Sequence, residues 1–115
     1  MKKYGEISNW DTSRVTSMRG MFKDARSFNQ PLNNWNVSKV ENMYGMFQNA
    51  RSFNQPLNNW NVSKVRYMNW MFENARSFNQ PLNKWTHLKG AVEMFNEATS
   101  FNQPLHAPWF HAPWY

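Results

Sequence analysis

The sequence predicts an α/β fold, a short repeat solenoid of about four strand–helix units with stacked Trp, Phe, Leu and Met columns. Three observations predict it. Trp10, Trp35, Trp60 and Trp85 stand 25 residues apart, and the series Phe28, Phe53, Phe78, the series Leu32, Leu57, Leu82 and the series Ala25, Ala50, Ala75 keep the same spacing. SFNQPLNNW fills residues 27–35 and returns unchanged at 52–60 while its neighbours drift. Within a unit the apolar spacing changes character, from alternation to the steps of three, three, one and three that separate Val40, Met43, Met46, Phe47 and Ala50. A switch of that kind marks the passage from a strand to one face of a helix.

Taken in order, PLNNWNV places Leu32, then Trp35 and Val37 alternating with Asn, and reads as a strand of about four residues that begins after Pro31. Ser38 stands where a helix N-cap is favoured. SKVENMYGMFQNA then reads as a helix of about ten residues, and a turn carrying RSFNQP leads to the next unit. The units run approximately 7–32, 33–57, 58–82 and 83–105. The fourth is shortened: Trp60 to Phe72 is 12 residues and Trp85 to Phe95 is 10, because THLKGAVEMF replaces NVSKVRYMNWMF. Phe101 and Leu105 resume the frame.

One unit cannot bury its own Trp, Phe and Met, but stacked units can, with parallel strands about 4.8 Å apart and like side chains over one another. SFNQPLNNW is then the wall and turn that every copy needs in order to pack on the last. Asn29, Asn54, Asn79 and Asn102, with Gln30, Gln55, Gln80 and Gln103, form amide columns that satisfy turn backbone. Met18, Met21, Met43, Met46, Met68, Met71 and Met94 fall on the buried helix face, where thioethers fill gaps beside aromatic rings rather than bind a soft metal. The repeat occupies 1–105, and the tail 106–115 carries HAPW twice. Proline keeps that tail extended. Its Trp109, Phe110, Trp114 and Tyr115 are placed either to cap the last unit or to dock on a neighbouring molecule as assembly residues.

Units of the form W-x-V-S-x-V-x-x-M-x-x-M-F-x-x-A-x-S-F-N-Q-P-L resemble the repeats, 25 to 26 residues long, of bacterial surface proteins and lipoproteins, common also in mycoplasmas and large DNA viruses. That family is named for a domain of unknown function, number 285, and is similar to the BspA-like branch of leucine-rich repeats. The resemblance covers roughly residues 7–105. It implies a leucine-rich-repeat-like architecture and a location at a cell surface or in a virion. The parent arrays are usually longer and carry export or anchoring segments; here MKKYGEISNW has no apolar run after its lysines, and the tail fits no repeat.

Composition narrows the functional classes. A chain of 115 residues fits one domain of modest core. Cysteine is absent, which removes disulfides and thiolate metal sites. No stretch approaches the roughly 18 apolar residues of a membrane span. The histidines are His87, His106 and His111, and the last two lie in a proline-rich segment that does not converge ligands. Glu6, Asp11, Asp24, Glu41, Glu73, Glu93 and Glu97 include no pair suited to acid–base work, and no nucleophile elbow or phosphate-cradling loop appears. The sequence therefore points away from an enzyme, a cofactor and a small-molecule substrate. Asn36-Val37-Ser38 and Asn61-Val62-Ser63 match the glycosylation pattern, but they sit where the repeat itself requires them.

Function in a repeat protein resides where the frame permits variation. Positions 16, 17, 19, 20 and 23 read Thr, Ser, Arg, Gly, Lys; their equivalents read Glu, Asn, Tyr, Gly, Gln and then Arg, Tyr, Asn, Trp, Glu. These lie between the apolar positions, on the outer face of the expected helix. Arg66, Tyr67 and Trp70, with Tyr44 one unit away, are the candidate partner-binding residues, of the types that dominate protein interfaces. The alternative is isolated surface aromatics. Arg26, Arg51 and Arg76 form one basic column and Arg14, Lys39 and Lys64 another, and the net charge is +6. Stacked like charges and cations in a helix's first turn carry a cost that a polyanion relieves; against this, Arg stems also cover apolar surface. The expected function is a non-catalytic module that binds a protein. The alternatives are a subunit that assembles with copies of itself through its ends, and a polyanion binder using Arg26, Arg51, Arg76, Lys39 and Lys64.

Overall fold

Along the segment read above as a helix, backbone N–H groups go alternately to two destinations. In the first repeat Met21, Lys23 and Ala25 donate three residues back, to the carbonyls of Met18, Gly20 and Phe22, at 3.2, 3.1 and 3.0 Å. The N–H groups between them, on Gly20, Phe22 and Asp24, donate to Tyr44, Met46 and Gln48 of the next repeat at 2.9, 2.9 and 2.8 Å. Gly45, Phe47 and Asn49 repeat the pattern onto Asn69, Met71 and Glu73, and Trp70, Phe72 and Asn74 repeat it onto Val92, Met94 and Asn96. The chain is a run of tight turns whose spare donors stitch each repeat to the next. The structure, a computed structural model, describes residues 6–86 and 88–105. His87, His106, His111 and the tail residues Trp109, Phe110, Trp114 and Tyr115 lie outside them.

The α/β solenoid of strand–helix units is thereby overturned, and with it the leucine-rich-repeat-like architecture. Among the described residues the helical structure is one 3-10 turn, Ile7–Asn9, and the strand-like pairings are the isolated parallel bridges Ser17↔Asn42 and Asn42↔Tyr67. The reason lies in backbone conformation. Gly20 and Asp24 have φ of 61° and 64°, Gly45 and Asn49 59° and 62°, Trp70 and Asn74 57° and 58°. Each is the third residue of a turn closed by an N–H three residues on from its acceptor, the arrangement of a type II turn. An α-helix needs negative φ throughout and bonds four residues back, so it cannot pass through these points.

The apolar rhythm that suggested a helix belongs instead to the corners of the turns. Val37 and Val40, Met43 and Met46, Phe47 and Ala50, and Ala50 and Phe53 are the first and last residues of successive hydrogen-bonded turns, and all of them are buried. The expected strand is a turn as well, since Trp35, Trp60 and Trp85 donate to the carbonyls of Leu32, Leu57 and Leu82 at 3.0, 3.0 and 2.9 Å. Nor does Ser38 cap a helix: its N–H donates to Asn36 Oδ1 at 3.0 Å, and Ser63 does the same with Asn61 at 3.1 Å, as Asn side chains do in local turns.

The repeats lie over one another as rungs, each marked by a phenylalanine pair: Phe22 and Phe28, Phe47 and Phe53, Phe72 and Phe78, Phe95 and Phe101. Within the pairs ring centroids are 4.3, 4.2, 4.3 and 4.1 Å apart. Between rungs the first column steps by 5.5, 5.5 and 5.4 Å and the second by 5.9 Å each time, within the range where aromatic pairs add to simple burial. Trp60 and Trp85 Nε1 donate to the Leu32 and Leu57 carbonyls at 2.9 and 3.1 Å, so each indole is both core and cross-brace. Asn54, Asn79 and Asn102 N–H groups donate to Asn29, Asn54 and Asn79 Oδ1 at 2.8, 2.9 and 3.0 Å. Gln55, Gln80 and Gln103 donate to the same oxygens at 3.1, 3.0 and 3.0 Å. The amide columns therefore do satisfy turn backbone. Met21 departs from the expected methionine core, being 40% exposed at the N-terminal end.

Candidate interaction surface

The variable face runs along the outer side of the type II turns, at the positions equivalent to 19 and 20. Gly20 and Gly45 occupy the positive-φ point in the first two rungs, and Trp70 (φ 57°) and Glu93 (φ 50°) in the last two. Backbone sterics admit glycine there freely and penalise a Cβ. A bulky aromatic at such a φ is an outlier.

Trp70 is held in place on both sides. The Tyr44 ring meets it edge-on, centroids 5.2 Å apart and planes at 84°, and its Nε1 donates to Glu93 Oε1 at 2.8 Å. The Arg19 guanidinium carbon lies 4.5 Å from the Tyr44 centroid. Arg19, Tyr44, Trp70 and Glu93 thus form one strip across all four rungs, cation on ring, ring on ring, indole on carboxylate. Beside it Arg66 Nη1 lies 3.8 Å from Glu41 Oε1, both side chains largely exposed, and Tyr67 is 50% exposed.

Of the residues singled out from sequence, Tyr44 and Trp70 are brought into contact. Tyr67 and Trp70 are not the helix neighbours expected, because Tyr67 belongs to the Asn42 bridge and Trp70 to the turn Met68–Met71. Sequence reasoning missed Arg19 and Glu93. The signal was available in the repeat frame: Arg19 precedes the glycine point as Tyr44 does, and Glu93 fills the Gly20, Gly45 and Trp70 position.

The basic columns stand on a different footing. Arg26, Arg51, Arg76, Arg14, Lys39 and Lys64 are all exposed, but with no helix the dipole cost expected for Lys39 and Lys64 does not arise. Arg76 Nε donates to Asn74 Oδ1 at 2.6 Å, a bond to turn polar groups of the kind an arginine fork makes readily. The acids are engaged elsewhere. Asp24 accepts from Asn49 Nδ2 at 2.7 Å, and Glu73 accepts from Gln48 Nε2 and, at 3.1 Å, from Asn96 Nδ2. Asp11 accepts from the Ser13 hydroxyl at 2.7 Å and its N–H at 3.0 Å, hydrogen bonds that hold its carboxyl below the usual carboxylate range, the hydroxyl first. Among the described residues no cluster of His, Cys, Asp and Glu is arranged to hold a metal, and no helix is long and apolar enough to cross a membrane.

The frame and the strip define a repeat protein built from stacked turns, with a conserved-by-copying interior and one varied face. The chain belongs to the family described as Mycoplasma protein of unknown function, DUF285, which matches residues 1–109. No curated protein and no solved structure matches it.

Proposed function

We propose that the protein is a non-catalytic repeat module for protein–protein interaction, and that it binds through the turn face formed by Tyr44, Arg66, Tyr67 and Trp70, extended by Arg19 and Glu93. The observation that carries this reading is Trp70. A non-glycine residue in the left-handed region costs about 1–2 kcal/mol, at a position where two other rungs hold glycine. Strain of this kind concentrates at functional sites. Here it holds a large amphipathic ring outward, next to Tyr44 and the exposed Tyr67, and Trp, Tyr and Arg are the residue types that anchor interfaces.

The test uses the protein and a Tyr44→Ala/Tyr67→Ala/Trp70→Gly variant, immobilised side by side against extract of the source organism and its surroundings. The expected result is a defined protein retained by the first and lost by the second, at an unchanged thermal transition. The same proteins retained by both would remove this face from consideration.

A second reading, contact with a polyanion through Arg26, Arg51, Arg76, Lys39 and Lys64, draws support from the acids that are spent on amides and hydroxyls rather than on these bases. It requires retention on immobilised heparin that falls steeply with salt; flow-through at low salt would dismiss it.

A further inference from the structure

Every junction inside the stack is made in the same way, and the first rung carries one half of a junction that nothing among the described residues completes. Asn42, Tyr44, Met46 and Gln48 accept at their carbonyls from Met18, Gly20, Phe22 and Asp24 of the rung before, at 2.8, 2.9, 2.9 and 2.8 Å. The equivalent carbonyls of the first rung, on Ser17, Arg19, Met21 and Lys23, accept no bond among the described residues. Trp35, Trp60 and Trp85 Nε1 donate to the Ile7, Leu32 and Leu57 carbonyls of the rung before, at 2.9, 2.9 and 3.1 Å, and the Trp10 indole has no such acceptor there. The Asn54 N–H and Gln55 Nε2 go to Asn29 Oδ1, whereas the Asn29 N–H and the Gln30 amide find no equivalent oxygen. Apolar surface follows suit. Trp10 and Met21 are 46% and 40% exposed, where the equivalent Trp35 and Met46 are 3% and 0%, and Val15, Ala25 and Phe28 are only partly buried, where Val40, Ala50 and Phe53 are fully so.

The pattern of donors and acceptors selects what can cover this end. The N–H groups of Met18, Gly20, Phe22 and Asp24 are spent on the second rung, so from Ser17 to Lys23 the open edge offers carbonyls alone. An ordinary β-strand presents donors and acceptors in alternation along its edge and would set carbonyls of its own against this row. Two first ends meeting would do the same. A rung of this turn frame is different, because over the matching stretch the side it turns to its successor carries N–H groups, as Met43, Gly45, Phe47 and Asn49 do toward the third rung. It also brings the carbonyl that takes an indole N–H and the Asn Oδ1 that takes the two amides. The chain's own last rung is closed, with Trp85, Met94, Phe95, Ala98 and Phe101 fully buried, so the occupant comes from elsewhere.

We infer that the first rung is a docking surface for one rung of the same turn frame, supplied by a partner protein whose own last rung is uncovered, and that the partner sits on the first rung as the first sits on the second. The seated rung donates to the carbonyls of Ser17, Arg19, Met21 and Lys23, accepts from the Trp10 indole and the Asn29 N–H, and covers Met21 and Phe28. At Asp24, which stands where Asn49 and Asn74 stand in the inner rungs, the side chain has acceptors only, so there the partner must give the bond. The contact continues an interface that the structure already contains between its own rungs. It lies apart from the Tyr67 and Trp70 face and does not depend on what that face binds.

The test uses as probe a synthetic peptide with the sequence of one inner rung, residues 30–54, titrated to millimolar concentration into the isotope-labelled full chain while the amide and indole N–H resonances are followed. The expected result is a saturable shift of the Trp10 indole and of the Thr16 and Asn29 amides, with Tyr67 and Trp70 unmoved, and no response to a scrambled peptide of the same composition. Met21→Lys and Trp10→Ala, both at exposed positions, each abolish the shifts; the thermal transition of each variant shows that it folds, and either one suffices. A spectrum that the rung peptide leaves unchanged, an equal response to the scrambled peptide, shifts centred on Tyr67 and Trp70 instead of the first rung, or a folded variant that responds like the wild type overturns the inference.

Discussion

The second and third rungs bury the same apolar residues and differ at five positions, Glu41, Asn42, Tyr44, Gly45 and Gln48 in the one and Arg66, Tyr67, Asn69, Trp70 and Glu73 in the other. Phe47, Phe53, Met46 and Ala50 in the one, and Phe72, Phe78, Met71 and Ala75 in the other, are fully buried. At the left-handed corner the second rung has Gly45 and the third Trp70. The frame fixes the backbone so firmly that a residue ill suited to the corner still adopts its φ, within a few degrees of the glycine. Interior copying and outward variation are thereby decoupled: the shared apolar residues carry the fold, and the left-handed corner is the one varied point at which the backbone itself favours glycine.

The largest effect asks whether the interiors are equal. Phe47→Ala and Phe72→Ala each remove a ring stacked on three or more others, and each is expected to cost about 3–5 kcal/mol in chemical denaturation. Unequal losses would show that the two rungs are not energetically equivalent. Next comes the floor beneath the third rung, where a Cβ added at Gly90 would lie 2.5 Å from the Arg66 carbonyl oxygen, at a φ of 56°. Gly90→Ala is expected to cost about 3 kcal/mol, from left-handed strain and overpacking together, and a neutral melting temperature would refute that close approach.

The corner itself is isolated by a pair of substitutions. Trp70→Gly and Trp70→Ala lose the same contacts with Tyr44 and Glu93, so the difference between them reports backbone strain alone. Trp70→Gly is expected to be the more stable by about 1–2 kcal/mol, and equality would mean that the corner relaxes once the ring is gone. The smallest effect lies outside the compared rungs, at Asp11. Its folded carboxyl is held below its ordinary value by Ser13. The stability this contributes is present above the unfolded carboxylate's titration and is lost as pH falls through the folded one. The gap between wild type and Asp11→Ala in denaturation midpoint should accordingly be present at neutral pH and close in acid.

The repeat frame was legible in the sequence because the core of each rung is made of large residues at fixed spacing, and because Asn29, Asn54 and Asn79 must recur for each to brace the next. Element type was not legible. A spacing of three between buried residues arises equally from a helix face and from tight turns with both corners buried, and periodicity alone cannot separate them. Gly20, Gly45 and the Asn49 and Asn74 pair were the discriminating residues, since both types favour the left-handed region and both fall inside the segment read as a helix. Trp70 at the same frame position weakened that signal. The exposed strip was half legible: Tyr44 and Trp70 stood out as unusual surface residues, while Arg19 and Glu93 became visible only once the rungs were stacked.

The alternation of backbone donors has a consequence for solvent exchange. Met46, Gln48 and Ala50 hold their amide hydrogens within their own turns, so a local opening of one turn releases them. Gly45, Phe47 and Asn49 hold theirs across the gap to the next rung, and those hydrogens leave only when two rungs part. Neighbouring amides along one short segment therefore report two different events, local fraying and separation of the stack. A record of deuterium uptake resolved to single residues would read as a zigzag along 45–50, its slow points measuring the cohesion between rungs.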